Sequence, residues 1–198
     1  MTVLSRENSA RLFWLGRYSE RVYTGLRDFM AKSGAINSNY VARCCLDEDN
    51  PDSAAFSLMR AYDNAIVLRD EITSDTFSYI QMAVYEMKNA QRSPAPLLQL
   101  QKVIDNIAAF WGMADDRIDD EHVRGIIKLG KRVERVDLYA RMNWADEDMR
   151  REIRRLYYRV RKAGLPYSTE SLANLKALVD AGVIDRSAVI REVEALVQ

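Results

Sequence analysis

The chain has 198 residues, 48% apolar and 29% charged, about the size of one domain with a core of its own. Its 29 basic residues balance 29 acidic ones, which excludes a global field drawing it to nucleic acid or anionic lipid while leaving room for a local basic face. No apolar run approaches the roughly 20 residues that span a bilayer, and only eight glycines and four prolines interrupt the periodic segments, so an all-α fold is expected.

Residues 6–31 place Leu12, Leu15, Val22, Leu26 and Phe29 three and four apart, with Ser19 in the remaining heptad place, and predict one long helix ending near Ser33-Gly34. Residues 36–46 predict a short helix or an irregular link. They hold the only two cysteines, Cys44 and Cys45, whose adjacency strains disulfide geometry and closes no useful loop. Two reduced thiols are expected, at least one of them in the core. Asn50-Pro51 reads as a helix start, with Asn capping free amides and Pro at the first helical position. That helix continues through Phe56, Met59 and Asp63 toward Arg69-Asp70.

Ile72-Thr73-Ser74-Asp75 interrupts the pattern, with Ser74 as the cap of a helix through about Asn89. Ser93-Pro94-Ala95-Pro96 is a connector. Leu97 to Trp111 predicts a helix with Leu100, Val103, Ile104, Ile107 and Phe110 inward, and the polar stretch 114–121 after Gly112 predicts a loop. A long helix follows over about 120–144, with Ile126, Leu129, Val133, Val136 and Ala140 facing the core and His122 on the solvent side near its start. From Asp146 to Lys162 a narrow stripe of Met149, Ile153, Leu156 and Val160 is crowded by arginines, and its acidic start and basic end suit the helix dipole. Gly164-Leu165-Pro166 ends that helix, and two shorter ones complete the chain over about 169–181 and 187–197, the last capped near Asp185. The expected organisation is a helical bundle core over 1–145 and a helical extension over 146–198 packed on it.

An offset of 114 residues superposes Leu15-Gly16-Arg17-x-x-Glu20-Arg21-Val22 on Leu129-Gly130-Lys131-x-x-Glu134-Arg135-Val136, and also Arg27 on Arg141. Matches of this character at one offset indicate an internally duplicated long helix. Leu15 and Val22 mark its apolar seam, Gly16 and Glu20 share a flank, and Arg17 and Arg21 form the adjacent row. A mid-helix glycine costs about 1 kcal/mol against alanine, so its use in both copies implies close helix approach or space beside a ligand. Glu20 can pair with Arg17 on its own helix or with a neighbouring helix, and Glu134 likewise with Lys131.

Two readings of these residues stand side by side. In one, Glu20 and Glu134 cross-link packed helices and set their register. In the other, the Glu-Arg pairs face a cleft between the halves, where arginines grip a carboxylate or phosphate bidentately. The ligand-binding candidates are then Arg17, Glu20, Arg21, Lys131, Glu134 and Arg135, joined from the middle segment by Arg69 and Glu71. Close arginines hold the carboxylates charged, which makes either glutamate a poor general acid.

The run Leu4-Ser5-Arg6-Glu7-Asn8-Ser9-Ala10-Arg11-Leu12-Phe13-Trp14-Leu15-Gly16-Arg17-Tyr18-Ser19-Glu20-Arg21 resembles the bacterial alpha-E family, predicted alpha-helical proteins named for a recurring Glu-Arg motif. The likeness extends to Asn50-Pro51-Asp52-Ser53, to Asp63-Asn64-Ala65, to Leu68-Arg69-Asp70-Glu71-Ile72 and to Leu129 through Val136. It covers most of residues 4–142. Where the family pattern often has Arg-Glu before the middle asparagine, this chain has Tyr62-Asp63. The resemblance implies a link to ATP-grasp peptide-ligase-like and transglutaminase-like proteins, with which such helical domains are encoded or fused, and it carries over no catalytic set.

No P-loop, Gly-x-Gly-x-x-Gly or Ser-His-Asp arrangement occurs, so no cofactor is expected in this chain and ATP would be used by a partner. His122 is the only histidine and no Glu-x-x-His is present, which argues against a di-metal bundle. The expected function is an accessory or substrate-presenting helical protein acting with an ATP-dependent peptide or amide ligase. The alternatives are a free-standing hydrolase or transferase using the Glu/Arg cleft, and a structural or nucleic-acid-binding protein whose basic tail and Tyr157 or Tyr158 meet phosphates and bases. The charged N-terminus lacks a signal-peptide h-region, so the cytoplasm is expected. Exposed polar helix faces make a homo-dimer the expected self-association.

Overall fold

A computed structural model describes residues 4–32 and 38–197. In chain order they form α1 (Arg6–Lys32), α2 (Ser38–Val41), a π-helical turn (Ala42–Leu46), α3 (Ala54–Val67), α4 (Arg69–Ile72), α5 (Ser74–Arg92), α6 (Pro96–Arg117), α7 (Glu121–Arg141), α8 (Asp146–Val160), α9 (Thr169–Asp180) and α10 (Arg186–Glu194). The protein is an all-α, multihelical bundle with internally duplicated long helices. β pairing among the described residues is confined to a single bridge between Tyr167 and Val197.

The duplicated helices α1 and α7 form the centre and pack on each other more extensively than any other pair. On one side α3, α5 and α6 complete the core, with α5 and α6 folded back on each other across the short Ser93–Ala95 link. On the other side α8 and α10 pack on α7, and α9 bridges them. The buried seam of α1 is Leu12, Leu15, Ser19, Val22 and Leu26, and that of α7 includes Ile126, Leu129, Val133, Val136 and Ala140, as the spacing required. Phe29 is only half-buried at the far end. The expected end of α1 at Ser33-Gly34 lies outside the described residues.

Three boundaries differ from the sequence expectation, each for a local reason. Asn50 does not cap α3. Its Oδ1 accepts from the Asp52 amide and its Nδ2 donates to the Arg43 carbonyl, closing a turn, and Ser53 Oγ accepts from the Phe56 amide at 3.0 Å instead. At α5 the cap is Thr73 rather than Ser74. Thr73 has φ 68° at the break, and its hydroxyl accepts from the Thr76 amide. Finally, α6 does not stop at Gly112. Phe110 and Ala114 are four apart on one face and both buried, so packing carries the helix through an otherwise unfavourable glycine to Arg117. Asn143, in the left-handed region at φ 55°, turns the chain out of α7.

Candidate functional site

The contacts between α1 and α7 advance together along both chains, so the two helices lie parallel and are related by a pseudo-twofold axis along the pair. Their closest approach is set by the glycines. A Cβ on Gly16 would sit 2.1 Å from the Ile127 carbonyl oxygen, and one on Gly130 would sit 2.0 Å from the Phe13 carbonyl oxygen. Phe13 and Ile127 are themselves equivalent at the 114-residue offset, so each copy's glycine meets the same backbone group of the other. The hydrogen in place of each Cβ points at that carbonyl, a contact seen between closely packed helices.

Such proximity brings each Glu-Arg pair against its counterpart, and the partners are exchanged. Glu134 Oε2 accepts from Arg17 Nε at 2.7 Å and its Oε1 from Arg21 Nε at 2.5 Å. In return Glu20 Oε1 accepts from Arg135 Nε at 2.6 Å and from Thr24 Oγ1 on its own helix at 2.7 Å. Both glutamates are fully buried. The pairings within one helix, Glu20 with Arg17 and Glu134 with Lys131, do not form. Burial works to lower the Arg21 and Arg135 pKa values, but the charge and hydrogen bond of Glu134 and Glu20 outweigh it, and both are raised. Removing one member of such a pair leaves a buried charge uncompensated and costs about 3–5 kcal/mol.

The exchange is unequal. Lys131, the counterpart of Arg17, reaches no carboxylate within ion-pair distance among the described residues. Its Nζ lies 3.9 Å from the centre of the Trp111 ring, and Glu20 Oε2 has no protein hydrogen-bond partner. Desolvation pushes the Lys131 pKa down to about 8, against the opposing attraction of Glu20.

Two clefts flank the crossing. One, of about 520 Å³, is bordered by Arg17, Arg21, Phe29, Tyr40, Asp137 and Arg141 among others. The other, of about 400 Å³, is bordered by Tyr23, Arg27, Trp111, Lys131, Arg135 and Trp144 among others. Arg69 and Glu71 join neither. Arg69 is exposed with its guanidinium 5.4 Å from the Phe77 ring centre, and Glu71 accepts from Asn8 Nδ2 at 2.5 Å. Asn8 lies twelve residues before Glu20 on α1, about 18 Å along the helix axis. The structure thus gathers Arg17, Glu20, Arg21, Lys131, Glu134 and Arg135 and sets Arg69 and Glu71 apart.

Two further buried carboxylates tie the tail to α7. Asp137 accepts from Arg141 Nε with both oxygens, and Arg141 continues to Glu194 on α10 at 2.6 Å. Glu152 on α8 joins Arg132 at 2.5 Å and Arg155 at 2.6 Å. The four-residue spacing of Asp137 and Arg141 was a readable signal, whereas nothing local linked Arg132 to Glu152. In the basic tail, Arg150 donates to the carbonyls of Val179, Ala181 and Gly182 and so closes the end of α9, a structural use. Cys44 and Cys45 are free thiols, Cys45 buried with its pKa pushed up to about 12 by desolvation first and the neighbouring Cys44 second.

No group of three His, Cys, Asp or Glu among the described residues could hold a metal ion, and no described helix is long and apolar enough to cross a membrane. A family model described as "Alpha-E: a predicted alpha-helical domain with a conserved ER motif" matches residues 26–154. The matched span holds Glu134-Arg135 as its one Glu-Arg step and ends inside α8. No curated protein and no solved structure matches the chain.

Proposed function

The chain belongs to the alpha-E family, and from that membership and the crossed Glu-Arg exchange we propose that it is an accessory or substrate-presenting helical protein acting with an ATP-dependent peptide or amide ligase in the cytoplasm. The observation that supports an accessory role is the internal use of the motif. Arg17, Arg21 and Arg135 hold Glu134 and Glu20 across the helix crossing, so these motif residues serve the scaffold, which favours an accessory role over independent catalysis. The ligase link comes from the family resemblance, with ATP bound by the partner.

Copurification of the native protein, followed by reconstitution with and without ATP, tests this reading. A stable partner whose ATP-dependent ligation requires this chain is the expected result. Turnover of a peptide-like substrate by the purified chain alone would overturn it.

A further inference from the structure

The groups left without partners by the Glu-Arg exchange gather on one side of the crossing, around the 400 Å³ cleft. Lys131 faces it with only the Trp111 ring beneath its ammonium. Arg135 gives its Nε–H to Glu20, and its terminal N–H groups remain for a second acceptor. Glu20 Oε2 and Trp111 Nε1 are both buried without a protein partner. Buried polar groups are paired in the great majority of folded proteins, so the unpaired Trp111 indole N–H bordering the cleft, beside an ammonium that meets no carboxylate among the described residues, marks a place built for something else.

The chemistry of that something follows from the lining. Lys131, Arg135 and Arg27 are cationic, Glu20 behind Arg135 opposes them, and Asp28 on the rim is already paired with Lys32 at 2.6 Å, which leaves the lining net positive. Such a lining suits an anion, and its aromatic walls favour an organic carboxylate over a bare phosphate. The walls are flat and apolar: Trp144 stacks on Tyr139 with ring centres 4.2 Å apart, and Trp111 and Tyr23 complete them. We propose that this cleft binds a small carboxylate carried on a planar or apolar body, with the carboxylate between Lys131 and Arg135 and the body against Trp111 and Trp144. The site stands whether or not a ligase partner exists.

A bound anion would supply the charge that Lys131 lacks and so raise its pKa. The charged groups facing that ammonium are Glu20 from α1, Asp115 from α6, and Arg132 and Arg135 from α7. Binding therefore takes up a proton above about pH 8, and affinity falls as the pH rises further.

Isothermal titration calorimetry on the full chain tests the site with three probes. N-acetyltryptophan stands for a peptide carboxyl end, indole-3-carboxylate for a free aromatic acid, and N-acetyltryptophanamide has the ring without the charge. Saturable binding of at least one acid is expected, at least tenfold tighter than the amide and weakened at least tenfold by Lys131→Met. The tighter acid identifies the source of the ligand. Circular dichroism of Lys131→Met should show an intact helical fold, and as a second variant Arg27→Gln, on the exposed rim, should weaken the acid less than Lys131→Met does. Absence of saturable binding of both acids at millimolar concentration, equal binding of the amide, or affinity indifferent to Lys131→Met would overturn the proposal.

Discussion

At Glu134 both carboxylate oxygens are taken, one by Arg17 and one by Arg21, whereas at Glu20 Arg135 and Thr24 share one oxygen and the other has no protein partner. The difference traces to single positions of the duplicated helix. Arg17 presents a rigid planar fork that meets a carboxylate edge; its counterpart Lys131 carries a point charge that lies on Trp111 instead. On the Glu134 side Asp137 anchors Arg141, which reaches Glu194 on α10. The counterpart of Asp137 on α1 is Tyr23, and Arg27 there lies over that ring and donates to its hydroxyl at 3.2 Å, with no carboxylate among the described residues to anchor it. One half of the crossing is therefore closed in charge, its ions paired and tied into the tail although the larger cleft borders it, and the other is open in charge and lined with aromatic rings. A shared motif sets a shared helix contact, and the residues around it decide what charge is left over.

The largest expected effect follows from breaking the closed half. Glu134→Gln leaves the part-buried Arg17 and Arg21 against a neutral amide and should cost about 3–5 kcal/mol in denaturant unfolding. Glu20→Gln strands only Arg135 and should cost about 2 kcal/mol. Equal losses would show that the two halves are energetically alike after all. Next come the glycines: Gly16→Ala and Gly130→Ala should each cost about 1–3 kcal/mol, by nearly the same amount, because each new Cβ meets a carbonyl oxygen at almost the same distance. A clear inequality in thermal unfolding would contradict the pseudo-twofold contact.

Lys131→Arg would convert the open half into a copy of the closed one, with the guanidinium turned to Glu20 Oε2. A gain of about 1 kcal/mol is expected, or about 3 °C in the unfolding midpoint. The smallest effect is a pH slope. The Lys131 pKa is about 8 in the folded chain against an ordinary 10.5, so the unfolded chain binds more protons in that interval. The penalty of a charged Lys131 is fully present below pH 8 and is relieved as the pH rises toward 10.5. The stability of the native protein relative to Lys131→Met should therefore increase with pH between these limits, as read from paired denaturation curves. A flat difference would mean that Lys131 is not desolvated.

Much of this crossing could be read before any coordinates. The offset repeat, the seam residues and the demand for close approach at Gly16 and Gly130 all follow from helical spacing, because a period of 3.6 maps position directly onto face. The choice between an internal cross-link and an open site could not be read that way. Glu20 has Arg17 three residues away and Arg21 beside it, so local sequence favours a pairing within α1, and only the parallel docking of α7 brings Arg135 closer to the carboxylate. Arg69 and Glu71 looked eligible for the same reason, since charge and a nearby helix end say nothing about distance in space.

The sequence by itself determined that this is an all-α bundle with a duplicated long helix, since amphipathic periodicity, capping residues and glycine placement act over a few residues and leave their trace in order. It also placed a glutamate on the flank of each seam, beside Gly16 and Gly130, and left open whether that flank is buried. Tertiary structure alone decided that the partners are exchanged, that Glu134 is satisfied twice and Glu20 incompletely, and that Lys131 turns to Trp111 on α6. The physical reason is that a buried charge is stabilised by whichever opposite charge the packing brings nearest. In this bundle that partner lies more than a hundred residues away along the chain.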